Sequence, residues 1–420
     1  MEPLVSIILT SYNKPLFVGK AIESILAQTE TSWELFIMDD NSNAETVEII
    51  KNFLGDKRIH YFNSFIEDID RYKTTRYATL INQALKMAKG KYISYSTDDT
   101  VYLPNRLEDM ISFFKNNPSA QIVYSSQLIK KVDVNQRVIH QFTRQANEVL
   151  QEAKFKVDHC SVMHNRCLLK KIYQKYKNYW DDHKNHWNHG DGLFWKRLNE
   201  IDVFYPINKI LDITYKTPIS FQNLYKELPN EFIDGTILKG TTNDLYFVSK
   251  NYRKKLEKDL FDYYKYEEKH IITVPDPILL QFPESAPIDF SKNIPDYLLI
   301  MEIEAQTYYY LENGKKREIK DLCTLHQLKF NRHEAVFLEG KLLMQFPNGI
   351  PLYKIIDQRF IPPSRKVIRS NNKYFIFLSG KMREVDRKVL ERLHLLKESF
   401  YCPPYILKKF PRGDKISSLT

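Results

Sequence analysis

The sequence predicts an α/β protein built on a mostly parallel, Rossmann-like sheet with helices on both faces. Three observations predict it. Apolar runs of strand length alternate with helix-periodic segments through the first 130 residues, glycine and other turn residues mark the changes of period, and polar clusters follow the apolar runs.

Taken in order, Val5-Ser6-Ile7-Ile8-Leu9-Thr10 reads as a buried strand, and from Leu16 to Gln28 the residues Phe17, Ala21, Ile22, Ile25 and Leu26 share one helical face. Glu34 to Met38 is a second strand, Glu45 to Leu54 a second helix and Arg58 to Phe62 a third strand. Tyr77, Leu80, Ile81, Ala84, Leu85 and Ala88 recur at helical spacing, Gly90 ends that helix, and Lys91 to Tyr95 begins another strand. Beyond Asp158-His159-Cys160-Ser161-Val162-Met163 the pattern becomes mixed, with helices expected over Arg166 to Lys177 and from near Asp191. The α/β unit is expected to span 1–225. A charged helical stretch from Asn251 to His270 and a linker with Pro275, Pro277, Pro283, Pro287 and Pro295 occupy 226–296, since neither a helix nor a central strand persists through prolines. A smaller α+β domain fills 297–420.

That last domain contains a duplication. Tyr308-Tyr309-Tyr310-Leu311, Gly314-Lys315-Lys316-Arg317-Glu318-Ile319 and Phe346-Pro347-Asn348-Gly349 match Tyr374-Phe375-Ile376-Phe377, Gly380-Lys381-Met382-Arg383-Glu384-Val385 and Phe410-Pro411-Arg412-Gly413, at offsets of 66 residues at the first glycine and 64 at the last. Two similar units, about 297–360 and 361–420, follow one another. They carry the positive charge: residues 1 to 290 hold 38 Lys+Arg against 38 Asp+Glu, and residues 291 to 420 hold 24 against 14, which together give the net +10. An anionic surface polymer or a coat protein suits such a domain. A nucleic acid does not, because the basic residues are spread over both units without a groove-reading motif.

With 43% hydrophobic and 27% charged residues the chain is neither disordered nor a multi-span membrane protein, and no run approaches the roughly 20 apolar residues of a membrane span. Cys160, Cys167, Cys323 and Cys402 show no paired spacing, which points to buried thiols in a reducing compartment. The start, Met1-Glu2-Pro3, lacks the pattern of a secretory signal, so a cytoplasmic location is expected.

Three polar clusters follow the strands: Thr10-Ser11-Tyr12-Asn13, Asp39-Asp40-Asn41-Ser42 and Thr97-Asp98-Asp99. No glycine-rich phosphate loop accompanies them. Two carboxylates at the end of a buried strand repel one another unless a cation lies between them, and Mg2+ or Mn2+, shared with substrate phosphates, would resolve the conflict. The plainer alternative is that these acids cap the helices near Glu45 and Pro104.

These segments resemble family 2 nucleotide-sugar glycosyltransferases, within which the likeness is closest to the spore coat polysaccharide and spore maturation enzymes of Bacillus. Thr75-Arg76-Tyr77-Ala78, Leu80-Ile81-Asn82-Gln83-Ala84, Asp158 to His164 and Gly190-Asp191 belong to the same likeness, which covers residues 3 to 225. The resemblance implies the GT-A fold and inversion at the anomeric carbon. It implies that Asp40, with Asp39, binds the pyrimidine base, that Thr10 and Tyr12 line the base pocket, that Arg71 faces the nucleotide, that Asp98 holds the ribose and that Asp99 ligates the metal. Here the usual DxD reads Asp98-Asp99-Thr100, which leaves the choice of metal ligand between the two acids open.

It implies, too, that Asp191 is the base that deprotonates the acceptor hydroxyl, although a cap on the following helix is compatible with the same position. The reading is thus transfer of a sugar from a UDP- or dTDP-linked donor to a glycan acceptor in spore coat or surface polysaccharide synthesis, in the mother-cell cytoplasm or at the spore surface. The alternative is a polysaccharide-binding or coat-assembly protein that keeps the fold without turnover. His183, His186 and His189 are spaced for a metal but read as a surface loop, Trp180, Trp187 and Trp195 are core or acceptor platforms, and His159 is a pocket or core residue. The stretch from Arg144 to Lys156 is expected to select the sugar.

Overall fold

The computed structural model describes residues 2–290 and 293–419, and the chain divides into two units, Met1–Ser220 and Phe221–Thr420. The first opens with β1 (Val5–Ser11), α1 (Pro15–Leu26), β2 (Trp33–Asp39), α2 (Ala44–Lys51), β3 (Ile59–Asn63), α3 (Asp68–Arg71), α4 (Arg76–Met87) and β4 (Tyr92–Thr97). The βαβ alternation of the sequence is therefore present, with ends shifted by one to three residues. Then come β5 (Thr100–Tyr102), α5 (Arg106–Asn116), β6 (Ile122–Val132), β7 (Val138–Arg144), β8 (Val162–Asn165), α6 (Leu168–Tyr176), α7 (Gly190–Asn199) and β9 (Tyr205–Lys216).

One sheet joins these strands in the order β3-β2-β1-β4-β8-β6-β9-β5, with β7 paired to β6. From β3 to β4 every pairing is parallel, and β8 then enters antiparallel to both β4 and β6. All seven residues of β1 and of β2 are buried, which is why both read as continuous apolar runs: each lies inside a parallel sheet covered on both faces. Alternate residues feed two cores. Ile8, Phe36, Met38, Ile93 and Tyr95 face α4, α6 and α7, while Ile7, Leu9, Leu35 and Ile37 face α1, α2 and α5. β6 lies inside the sheet and is mostly buried, whereas its partner β7 is largely exposed.

In the first core Tyr95 Oη lies 2.8 Å from His164 Nε2, and His164 Nδ1 lies 3.0 Å from the Asn165 carbonyl. Both contacts suit a neutral ring that donates from Nδ1 and accepts at Nε2. Burial depresses His164 to about 4, below the ordinary imidazole value of about 6.5. The unfolded chain therefore takes up a proton before the folded one. This contribution to stability is complete above about pH 6.5 and is lost as pH falls towards 4, on the order of 2–3 kcal/mol. Urea unfolding at pH 7 and pH 4.5 should show this loss in the wild type and a smaller one in His164→Gln.

The second unit departs from expectation upstream of its duplication. The duplicated units appear as two four-stranded sheets of one topology, with strands at Leu299–Glu302, Tyr308–Glu312, Lys315–Glu318 and Val336–Leu338, and at Val367–Ser370, Lys373–Leu378, Lys381–Val385 and Phe400–Tyr401. The segment expected to be a charged helix and linker folds as a third copy. Its strands Ile237–Lys239, Leu245–Ser249, Tyr252–Leu256 and Ile271–Thr273 pair in the same order and sense, with Glu284–Ser285 added at the edge. Phe282-Pro283, Phe346-Pro347 and Phe410-Pro411 stand at intervals of 64 residues. Each hairpin turns through two left-handed residues: Lys250 and Asn251, Asn313 and Gly314, Ser379 and Gly380.

The prolines do not break this copy because they sit at element boundaries, Pro277 in the first turn of helix Asp276–Leu280 and Pro283 just before the edge strand. Residues 291 and 292 of the expected linker lie outside the described residues. Each pair of copies shares a core: Phe261 with Leu311, Tyr310 with Phe377, and Val274 with Val389 lie in three separate apolar clusters. Among the described residues no helix is long and apolar enough to cross a membrane.

Candidate active site

The parallel register places Ser11 opposite Asp39 and Thr10 opposite Thr97, so the polar clusters after β1, β2 and β4 meet at one rim of the sheet. Backbone bonds lock them together: the Asp98 N–H donates to the Thr10 carbonyl at 3.2 Å and the Asp40 N–H to the Ser11 carbonyl at 2.9 Å. Thr10, Asp39, Asp40, Arg71, Asp98 and Asp99 are all buried. The Tyr12 N–H donates to Asp98 Oδ2 at 2.8 Å, and the Arg71 guanidinium lies over the Tyr12 ring at 4.3 Å.

None of these acids caps a helix. Asn43 caps α2, α5 begins after Asn105, and Asp39 instead accepts from Tyr61 Oη at 3.0 Å and Asn63 Nδ2 at 3.1 Å. Burial raises Asp39 against the pull of hydrogen bonds from Ser42 and Tyr61. Both Asp40 oxygens are taken: Oδ2 accepts from Arg71 at 2.6 Å, and Oδ1 from Arg76 at 2.8 Å and from Ser64 at 3.1 Å.

Asp98 and Asp99 share one ammonium, with Lys14 Nζ 2.5 Å from Asp99 Oδ2 and 3.2 Å from Asp98 Oδ1. Thr97 Oγ1 donates to Asp99 Oδ1 at 2.7 Å. Burial, aided by its charged neighbour, pushes Asp98 up to about 6 against the pull of Lys14. Burial acts on Asp99 in the same direction, but Lys14 and Lys216 outweigh it and hold that carboxyl below its ordinary value. Two adjacent buried carboxylates are hard oxygen donors of the kind that Mg2+ or Mn2+ takes, although here Lys14 supplies their positive partner.

Asp158, His159 and Cys160, whose ligand atoms lie within 4.8 Å of one another, do not fit as a metal site. Asp158 caps the Cys160 N–H at 3.1 Å and pairs with Arg144 at 3.5 Å, and burial pushes the Cys160 thiol well above its usual range, against a thiolate.

Asp191 lies in the first turn of α7, where its Oδ1 accepts from the Gly192 N–H at 2.8 Å; the cap position itself is His189. A side chain at Gly190 would fall 2.6 Å from Tyr77 Oη, and its absence lets that hydroxyl accept from the Gly190 N–H at 3.0 Å. The same hydroxyl reaches the carbonyls of His186 and Trp187 at 3.2 Å, so Tyr77 on α4 sets where α7 begins. Burial raises Asp191, with Asp158 adding and His159 and Arg144 opposing. The 158–160 turn thus lies between the two acid centres: its charges act on Asp191, and Cys160 Sγ is 3.5 Å from Thr97 Oγ1 beside Asp99.

The profile of glycosyl transferase family 2 matches residues 6–177. Protein CgeD of Bacillus subtilis (strain 168) is 45% identical over 415 residues, 98% of this chain and 96% of its own length. The chain belongs to glycosyl transferase family 2. A further relative is the Escherichia coli UDP-Glc:alpha-D-GlcNAc-diphosphoundecaprenol beta-1,3-glucosyltransferase WfgD, 32% identical over 147 residues, 33% of this chain and 53% of WfgD. Among solved structures, S. aureus TarS 1-349 in complex with UDP-GlcNAc aligns with a TM-score of 0.39 at 17% identity, covering 56% of this chain and 63% of that one.

Three charged residues of this family 2 glycosyltransferase escape sequence reasoning about its site. Lys14 precedes α1 and Arg76 opens α4, and neither position carries a local signal of the carboxylate it pairs with. Arg106 is wholly buried, donating to Asp212 Oδ2 at 3.0 Å and to the Cys160 carbonyl at 2.5 Å, so it supports the 158–160 turn from beneath. An arginine in the first turn of a helix, with no apolar signal, gives no sign of that burial.

The indoles of the glycosyltransferase separate by burial. Trp180 and Trp195 are fully buried in the first core, whereas Trp187 is part-exposed, edge-on to Tyr77 at 6.1 Å. His183 caps a short 3-10 turn that ends at His186, His189 follows three residues on, and among the described residues they form no three-ligand group.

Proposed function

We propose that residues 1–225 form an inverting transferase that moves a sugar from a UDP- or dTDP-linked donor to a glycan acceptor in spore-surface polysaccharide synthesis. The repeats would attach it to an anionic surface polymer or coat protein. The observation that carries the reading is the meeting of three strand ends on one buried acid pair, with a separate, half-buried carboxylate at the start of α7. The likeness to CgeD along nearly the whole chain supports a role shared by both parts, and the UDP-Glc in the name of WfgD supports a uridine donor.

In this reading the Tyr12 ring stacks on the base and Arg71, backed by Asp40, holds that ring in place. Asp39 and Asp40 stand at the base end of the pocket, and the Thr10 backbone lines its floor. Asp98 accepts from the ribose. Asp99 would hold Mn2+ or Mg2+, which neutralises charge developing on the departing diphosphate. Asp191 takes the acceptor proton as the hydroxyl attacks the anomeric carbon from the face opposite the nucleotide.

Replacing Asp99 with Ala tests the site. Calorimetry with UDP and with dTDP, each with and without Mn2+, should show a metal-dependent gain in wild-type affinity that vanishes in Asp99→Ala, together with loss of transfer. Unchanged metal dependence in the variant would remove Asp99 from the mechanism.

A further inference from the structure

Lys14 stands at the N-cap of α1, a position that favours Ser, Thr, Asp or Asn and where a positive charge opposes the helix dipole; it makes no side-chain cap. Asn13 before it takes a left-handed φ of 52°, and Pro15 after it opens the helix. The residue is thus badly placed for the helix. It is well placed for the acid pair, because its ammonium lies 2.5 Å from Asp99 and 3.2 Å from Asp98 while its side chain keeps 25% exposure at the lip of the site. Asp98 and Asp99 themselves are 4% and 5% exposed, and without a cation their mutual repulsion would act across a poorly solvated space.

We propose that Lys14 is a tethered counter-ion that holds the Asp98–Asp99 pair until a divalent cation and the donor diphosphate arrive together, so that metal and nucleotide binding are coupled through its displacement. The inference rests on the metal reading of Asp99. A metal arriving alone must break a close ion pair and leave an ammonium at the lip without a partner. When the diphosphate arrives as well, the released ammonium meets phosphate oxygens, and the cost of displacing it is offset. Each ligand then strengthens the other by the same factor. The device keeps the acids neutralised between turnovers and disfavours an idle metal-loaded site.

Titration calorimetry on the full chain, with Mn2+ alone, with UDP or dTDP alone, and with Mn2+ at saturating nucleotide, tests this without any transfer assay. Lys14→Met is expected to bind Mn2+ alone about tenfold or more tightly than the wild type, and its coupling between Mn2+ and nucleotide should shrink by a similar factor. Lys14→Arg, which keeps the charge, should stay near the wild type. In EDTA, Lys14→Met should melt below the wild type and recover on adding Mn2+. Lys14→Gln provides the same comparison where the methionine variant does not fold without metal.

Lys14→Met or Lys14→Gln binding Mn2+ no tighter than the wild type overturns the inference while leaving Asp99 as a ligand. A wild type that binds no Mn2+ even with nucleotide, or an Asp99→Ala that binds it normally, overturns the metal reading and this inference with it.

Discussion

Asp191→Asn is expected to lower turnover by about 10²- to 10⁴-fold while leaving nucleotide affinity close to that of the wild type. The amide keeps the shape of the side chain and can still accept from the Gly192 N–H, so the first turn of α7 and its contact with Tyr77 should persist. What it loses is basicity at a carboxylate that lies in the first turn of α7, apart from the acid pair. Burial raises Asp191 above the ordinary aspartate value, so in the wild type kcat/KM should fall on acidification with a midpoint above that value. In the variant the part of this acid limb that belongs to Asp191 should disappear, leaving the fall set by Asp98, which burial lifts to about 6. Steady-state rates across pH, with UDP affinity measured separately, check both parts. An Asp191→Asn protein with wild-type turnover would end its assignment as the base.

Asp40→Ala is expected to act mainly on stability, at about 3–5 kcal/mol, because it leaves two buried guanidinium groups without their carboxylate. Arg71 and Arg76 are 2% and 7% exposed, and both give their shortest contacts to Asp40. Removing the carboxylate should also release Arg71 from above Tyr12, so nucleotide binding should weaken along with the fold. Asp39→Ala makes the comparison: the side chains donating to Asp39 are neutral, Tyr61 and Asn63, and no stranded charge remains. Chemical denaturation of the two variants should show the larger loss at Asp40, and equal losses would show that the ion pairs contribute little.

The acids at the strand ends are legible because parallel strands buried on both faces announce themselves as apolar runs, and the polar residues that follow such runs gather at one rim of the sheet. Asp39, Asp40, Asp98 and Asp99 were found in this way. Lys14, Arg76 and Arg106 were not, because a buried cation carries no local signature; its burial depends on a carboxylate 36 to 106 positions away in sequence. The third repeat was hidden for a related reason. Its hairpin lacks the Asn-Gly or Ser-Gly signal, having Lys250-Asn251 instead, and its prolines look like breakers until their places at element ends are known.

The sequence by itself determined the order of strands and longer helices through residue 97, though not the single turn Asp68–Arg71, and the rim at which the polar clusters gather, and the family. Those follow from burial periodicity and short-range turn chemistry, which each segment carries in its own residues. Only the tertiary structure decided how the charges at the rim are shared: Asp40 between Arg71 and Arg76, the Asp98–Asp99 pair on Lys14, Asp191 beside the 158–160 turn. The energy of a buried charge is set by the partners and solvent within a few ångströms of it, and chain folding brings those partners from distant positions in the sequence.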